Sequence, residues 1–352
     1  MGFDAADESE RRGWLLGAKL KALVAEHLAA PVDASPQSFP GGAALVHDDR
    51  AWVLAEGDAS EVLGRALAWS LRRGVAGVDI VAEAGSGVVA RRAAGFDMPI
   101  DVWFPIERTL VAAVPDPLAP PPAAVPDHLA LTRLIEAGGA EPIVEHGVVT
   151  GEVRGLEVCR VVDRPTTGTF AELGDVVTPA PDGLSGRDEP GVRLEVGVGP
   201  ADREAFQLLH GDVPTVEALS QVVRAVADHR RAEAPQHPLN RLVRERYLRW
   251  RAVDDPSLVG MSAVAPAEPP VPRRNLKDVL PCVATATTPS GEPATIVFSS
   301  GVDLGLLPFV VDVQAAREAP VVVALPARDR VGLTLELGER LRRPVEIRSI
   351  DA

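Results

Sequence analysis

Two glutamates stand where a side chain could do chemistry. The runs Leu156-Glu157-Val158-Cys159-Arg160-Val161-Val162 and Val192-Arg193-Leu194-Glu195-Val196 are β-branched segments, each with a carboxylate among apolar residues. An ionised carboxylate held among valines costs free energy unless it reaches solvent, a cationic partner or a metal ion. The solvated face of an antiparallel sheet would answer the need equally well.

A second feature is cationic. His229-Arg230-Arg231 leads to Arg241, Arg244, Arg246, Arg249 and Arg251, with Tyr247 and Trp250 between them, and Arg273, Arg274 and Lys277 follow. Guanidinium groups hold phosphate in a fork geometry. A groove for a polyanion would gather charge in this way, and Arg230, Arg231, Arg241, Arg244 and Arg249 are its candidate contacts. The alternative is a helix face that turns its arginines to solvent and to the chain's own acids. His210-Gly211-Asp212 follows the Glu195 run; His210 is read either as a general base beside Glu195 or as a turn residue. Gly57-Asp58 and Gly301-Val302-Asp303 sit where strands end and helices begin, and helix capping accounts for their acids. Neither matches a phosphate-loop or dinucleotide fingerprint, and the chain holds no Gly-x-Ser-x-Gly elbow.

The positioning elements are legible from periodicity. Residues 8–30 carry an apolar stripe at helical spacing that stops at Pro31. The runs 43–46 and 51–54 read as a hairpin, followed by helix 59–73, strand 78–81, helix 87–94 and strand 100–104. Strands separated by helices imply a mostly parallel sheet. The proline-rich stretch 115–126 reads as a linker, and Asp127 can cap a helix over 128–137. Runs 142–149, 151–162 and 192–199 form a three-stranded meander, interrupted by the turn-rich segment 165–190. Helices follow over 201–209, 215–229 and 240–253, then a second linker.

The last section repeats the first. The order strand, helix, strand, helix, strand over 295–348 matches that over 51–103, and both copies close alike, with Pro99-Ile100-Asp101-Val102-Trp103 against Pro344-Val345-Glu346-Ile347-Arg348. Recurrence of a common supersecondary motif is the alternative. The expected fold class is α/β: a central mixed core of helices and antiparallel strands, flanked by two similar βαβαβ units. The expected domains are 1–114, a linker 115–126, a central domain 127–257, a linker 258–274, and 275–352.

Composition narrows the function classes. A chain of 352 residues with 46% hydrophobic content can bury more than one core. A net charge of −14 repels phosphate backbones unless positive charge is gathered locally. Cys159 and Cys282 fit no zinc spacing and make no disulfide framework. The acidic start Met-Gly-Phe-Asp-Ala-Ala-Asp-Glu is unlike a signal peptide, and no apolar run approaches the length of a membrane span. The expectation is a cytoplasmic protein with no membrane partner.

In its central part the chain resembles the PD-(D/E)XK nuclease superfamily, whose core is a helix, three antiparallel strands, a helix and a further strand. The resemblance covers about a third of the chain. It implies Mg²⁺ held by three acids, and offers Glu136 on the helix, Glu157 on the second strand and Glu195 on the third. The metal would activate water and neutralise the charge of the phosphoryl transition state. The family's E-x-K reads Glu195-Val196-Gly197 here, so its lysine is a glycine. Arg193, on the strand face of Glu195, and Arg203, from the following helix, are the candidate replacements for that cation.

Two functions are therefore expected in competition. One is a Mg²⁺-dependent nuclease, or a nuclease-like nucleic-acid-binding protein, with Glu157, Glu195, Arg193 and Arg203 at its centre. The other is a non-catalytic interaction or scaffold protein on a decayed nuclease core, whose end units face a protein partner or pair in a homodimer.

Overall fold

The structure, a computed structural model, describes residues 3–163, 191–210, 215–231, 237–273 and 280–351. The turn-rich segment 165–190, Arg274 and Lys277, and the side chain of His210 with Gly211 and Asp212 lie outside the described residues. The fold class is α/β.

The chain opens with α1 (Phe3–Leu28), then β1 (Gln37–Phe39), β2 (Gly42–His47) and β3 (Arg50–Asp58). Next come α2 (Val62–Leu71), β4 (Gly77–Ala84), α3 (Ser86–Ala93), β5 (Ile100–Ile106) and β6 (Thr109–Ala112). The middle holds α4 (Pro126–Ala130), α5 (Thr132–Ala137), β7 (Glu141–Glu145), β8 (Val148–Val153), β9 (Leu156–Asp163), β10 (Val192–Val196), α6 (Pro200–His210), α7 (Thr215–His229) and α8 (Arg244–Asp254). The chain closes with β11 (Ala263–Ala267), β12 (Cys282–Thr287), β13 (Pro293–Phe298), α9 (Leu306–Ala316), β14 (Val321–Leu325), α10 (Gly332–Glu339) and β15 (Glu346–Ser349). Among the described residues no helix is long and apolar enough to cross a membrane.

These elements form two compact units. Residues 1–120, 255–265 and 279–352 make one, and residues 121–254 with 266–278 make the other. The two end segments thus belong to one terminal unit. Part of the stretch expected as the second linker is the strand β11, which opens the last sheet.

In the terminal unit the sheet order is β1-β2-β3-β4-β5-β6 for the first half and β11-β12-β13-β14-β15 for the second. The halves share one topology: an antiparallel pair (β2/β3 and β12/β13), then two parallel steps (β3/β4/β5 and β13/β14/β15). The register row Leu45–Trp52–Asp79–Asp101 corresponds to Ala284–Ile296–Val322–Glu346. The turns after their second helices, α3 and α10, meet at equivalent positions. Phe96 and Leu341, each three residues before the closing proline of its copy, form an antiparallel bridge with each other. The Asp97 amide donates to the Arg340 carbonyl at 2.6 Å, and the Arg342 amide donates to the Gly95 carbonyl at 2.9 Å. Such reciprocity, residue i to j and j to i, is the signature of a local two-fold.

The central unit is a four-stranded antiparallel sheet, β10-β9-β8-β7. The expected first two runs of the meander are each cut by a two-residue turn. His146-Gly147 joins β7 to β8 and Arg154-Gly155 joins β8 to β9, with positive φ at all four residues (50°, 76°, 49° and 76°). That is the requirement of the tight hairpin turn whose twist matches the strands, and glycine at its second position relieves the cost. One sheet face holds the core. Val149, Val153, Leu156, Val158, Cys159 and Val161 pack with Ile135 of α5 and with Leu219 and Val226 of α7. The opposite face carries the charge.

Candidate functional site

The charged face is built by strand alternation and one irregularity. Thr150, Arg160 and Glu195 form a row across β8, β9 and β10. Glu141, Ile143 and Glu145 of β7 share a face by their spacing of two, and Glu141 stands opposite Glu152. The β8/β9 register slips between Gly151 and Glu152, so that Val158 is an extra residue in β9. In an unbroken strand Glu157 and Arg160, three apart, would point to opposite faces. The bulge re-aims Glu157, as such insertions do. Arg160 Nε and Nη2 then donate to its two oxygens, both at 3.0 Å.

Arg203 reaches the same place from the first turn of α6. Its Nη1 donates to Glu157 Oε1 at 2.7 Å, and its Nε stands 3.6 Å from Glu195 Oε2. Arg193 Nη2 donates to Glu195 Oε1 at 2.6 Å, as neighbours on one strand face can. Glu157 is 8% exposed and Arg203 is 7% exposed. The two glutamates singled out in the sequence therefore do approach one centre, and that centre is a guanidinium.

Glycine at position 197 has a backbone reason. Its φ is +140°, and a Cβ there would stand 2.8 Å from the Arg203 backbone nitrogen. Its amide donates to the carbonyl of Val158, the bulge residue, at 2.8 Å. A lysine at this position would have no room for its Cβ between β10 and α6.

Mg²⁺ asks for oxygen ligands at about 2.0–2.1 Å in near-octahedral array. Glu136 lies exposed on α5. Among the described residues no three His, Cys, Asp or Glu side chains gather as a metal site requires. Glu157 and Glu195 are already engaged by Arg160, Arg193 and Arg203, and guanidinium has no lone pair to ligate. As arranged, this donor set does not suit Mg²⁺.

The basic stretch also turns inward, and the polyanion-groove expectation is corrected for two of its residues. Arg230 is 1% exposed and donates to four carbonyls, those of Arg154 at 2.7 Å, Leu239 at 2.6 Å, Leu242 at 3.0 Å and Val243 at 3.1 Å. It ties the end of α7 to the β8–β9 turn and to the approach to α8. Arg249 is 2% exposed and donates to Glu145 Oε1 at 2.9 Å and to Glu152 Oε2 at 3.4 Å. A guanidinium so enclosed cannot meet a nucleic-acid backbone. Arg231 and Arg241 are exposed and Arg244 is half-buried.

Sequence reasoning passed over Glu145, Glu152 and Arg160, and read Arg246 only as part of the basic stretch. Arg246 is buried between Glu145 and Glu152 and pairs with both. Burial alone would raise the Glu152 carboxyl; Arg246 and Arg249 outweigh it and hold the group below its ordinary value. Glu141 moves the other way, because burial comes first and repulsion from Glu152 adds to it, against the pull of Arg249. Burial draws Arg230 down to about 10, opposed by Glu152, so it stays charged at neutral pH. Burial pushes the Cys159 thiol up to about 12, which leaves it inert as a nucleophile. The available signal was Glu141 and Glu145, on one face of an alternating strand, together with the His-Gly and Arg-Gly dipeptides.

A cavity of about 140 Å³ opens on this face, with Glu157, Arg160, Arg203, Arg246, Arg273 and His146 among its lining residues. His146 Nε2 donates to the Pro269 carbonyl at 2.9 Å, and the His146 amide donates to Glu268. Gly199 and Pro200, at the start of α6, border the same space.

Comparison of the chain with protein-family models, with curated proteins and with solved structures finds no match.

Proposed function

We propose that the protein is a non-catalytic binding and scaffold protein, in which a nuclease-like arrangement of strands and acids has been taken over by arginines. The observation that carries this is Arg203, whose guanidinium occupies the space between Glu157 and Glu195 that a shared dication would need. Displacing it would take one of two guanidinium partners from each carboxylate, leaving the buried Glu157 with Arg160 and Glu195 with Arg193. A working cytoplasmic, reducing setting fits the two buried free cysteines, Cys159 and Cys282.

The Mg²⁺-dependent nuclease is the second reading. What favours it is that Glu157 and Glu195 face one common group, which a metal would replace if Arg203 swung aside on substrate binding. One experiment separates the two. Calorimetric titration with Mg²⁺ and Mn²⁺ is paired with cleavage and gel-shift assays on DNA and RNA at two salt concentrations. The expected outcome is no metal-binding heat, no cleavage, and no retardation with the steep salt dependence that several phosphate contacts produce. Cleavage by the wild type that disappears in Glu195→Ala would overturn the scaffold reading.

A further inference from the structure

The cavity on the charged face has a composition that the scaffold role does not require. Four guanidiniums line it, those of Arg160, Arg203, Arg246 and Arg273, against the carboxylates of Glu145 and Glu157. Guanidiniums outnumber carboxylates among the lining side chains, although Glu152, Glu195 and Glu245 pair with three of them from outside the lining. The start of α6, an 11-residue helix, adds the partial positive charge of its unsatisfied amides, although Asp202 already caps the Val198 amide at 2.6 Å.

The arginines are held, not loose. Glu152 and Glu145 grip Arg246, Glu245 grips Arg273, and Glu157 with Glu195 grips Arg203. Carboxylates that fix guanidiniums in place reduce the ordering cost of ligand binding. Arg203 is 7% exposed, and the Glu195 carboxylate stands 3.6 Å from its Nε, an ion pair longer than a hydrogen bond. A guanidinium held partly at ion-pair distance keeps hydrogen-bonding capacity that an added oxygen could use. Arg160, whose side chain is 37% exposed, places a guanidinium between the cavity and solvent.

Size limits the ligand. A space of about 140 Å³ is well under the roughly 300–1,000 Å³ of pockets that enclose drug-sized molecules. It accommodates a tetrahedral oxyanion with some water, at about 30 Å³ per water in the liquid. Any larger part of a ligand would lie outside this space, toward solvent.

We propose that this cavity is a binding site for a phosphate-sized oxyanion, free or as the terminal group of a small phosphomonoester, with Arg160 and Arg203 as its principal donors. The site rests on the reading that guanidinium, and not a metal, occupies the centre of the charged face.

The test uses the full chain in EDTA, titrated with inorganic phosphate and, separately, with methyl phosphate, followed by calorimetry and phosphorus NMR. Saturable one-site binding is expected, weakened about tenfold or more in Arg160→Gln, part-restored in Arg160→Lys and unchanged in Arg231→Gln. Methyl phosphate binding as tightly as phosphate assigns the site to an esterified ligand, and phosphate alone binding assigns it to the free ion. Because Arg160 is the most exposed of the donors, its variants are checked for an unchanged thermal midpoint. No binding at about 10 mM ligand, or binding that Arg160→Gln leaves intact, overturns the inference while the scaffold reading stands. Binding that appears only when Mg²⁺ replaces EDTA overturns both.

Discussion

Glu152 shows how the charged face works at the scale of one residue. It is 3% exposed, and such a carboxylate is tolerable only because Arg246 and Arg249 attend it. Its folded carboxyl sits below the ordinary value of 4.5, so the unfolded chain takes up the proton first as pH falls. The stability it contributes is therefore complete above about 4.5 and is lost as pH drops through the lower folded value. Glu141, shifted upward, acts oppositely, since its protonated form is the one the fold prefers. Urea unfolding of the central unit, followed by circular dichroism from pH 7 down to about 3, is expected to show a midpoint that falls below about pH 4.5. In Glu152→Gln that acid limb should flatten; an unchanged slope would remove Glu152 as its source. At this scale the need of Glu157 and Glu195 for a partner was legible, because burial of a charge among valines follows from residue type and alternation. The identity of the partner was not. A metal and a guanidinium satisfy the same carboxylate, and only the reach of Arg203 across the sheet distinguishes them.

At the scale of elements, the charged face depends on where strands bend. The bulge at Val158 brings Glu157 round to Arg160, and Gly197 receives the bulge through its amide while α6 comes close enough to leave no room for a Cβ. Gly197→Ala is expected to cost about 1–3 kcal/mol, the range for a non-glycine residue held in a disfavoured backbone conformation. Hydrogen exchange of the amides over Leu156–Asp163 measures it: faster exchange is expected, and unaltered rates would mean that α6 shifts without penalty. Helices with long apolar stripes, such as α1 and α7, were plain in the sequence because their period is carried by many residues at once. The division of the first two meander runs into three strands was hidden, although His146-Gly147 and Arg154-Gly155 carried its signal. A two-residue turn spends so little sequence that β-branched runs on either side read as one. The strand β11 was hidden for a related reason, since prolines at an edge position look like linker until a neighbour pairs with them.

At the scale of the molecule, the repeated halves of the terminal unit meet through α3 and α9. Asp312 of α9 is fully buried, and Arg91 and Arg92 of α3 close on it, with Nε donors at 3.0 and 2.8 Å. Gly95 lies against Val311, where a Cβ would come within 2.5 Å. Asp312→Ala leaves two guanidiniums without their acceptor and is expected to lower stability by about 3–5 kcal/mol. Four of the five tryptophans, Trp14, Trp52, Trp69 and Trp103, belong to this unit, so the unfolding curve from tryptophan fluorescence should shift. A shift equal to that of a surface substitution would show that the ion triad is replaceable. The halves also satisfy each other within one chain, and their reciprocal amide bonds at Phe96 and Leu341 occupy the contact that a homodimer of single repeats would use. The sequence by itself determined the α/β class, much of the order of helices and strands, the likeness of the two end segments and the positions of the costly carboxylates. All of these follow from local periodicity and from the free energy of burying one residue type. Tertiary structure alone decided that the distant end segments form one unit, that Arg230, Arg246 and Arg249 of the arginine-rich stretch face inward, and that Glu157 and Glu195 share a guanidinium. Each of those outcomes joins residues far apart in the chain, and charge pairing at a distance leaves no period in the sequence.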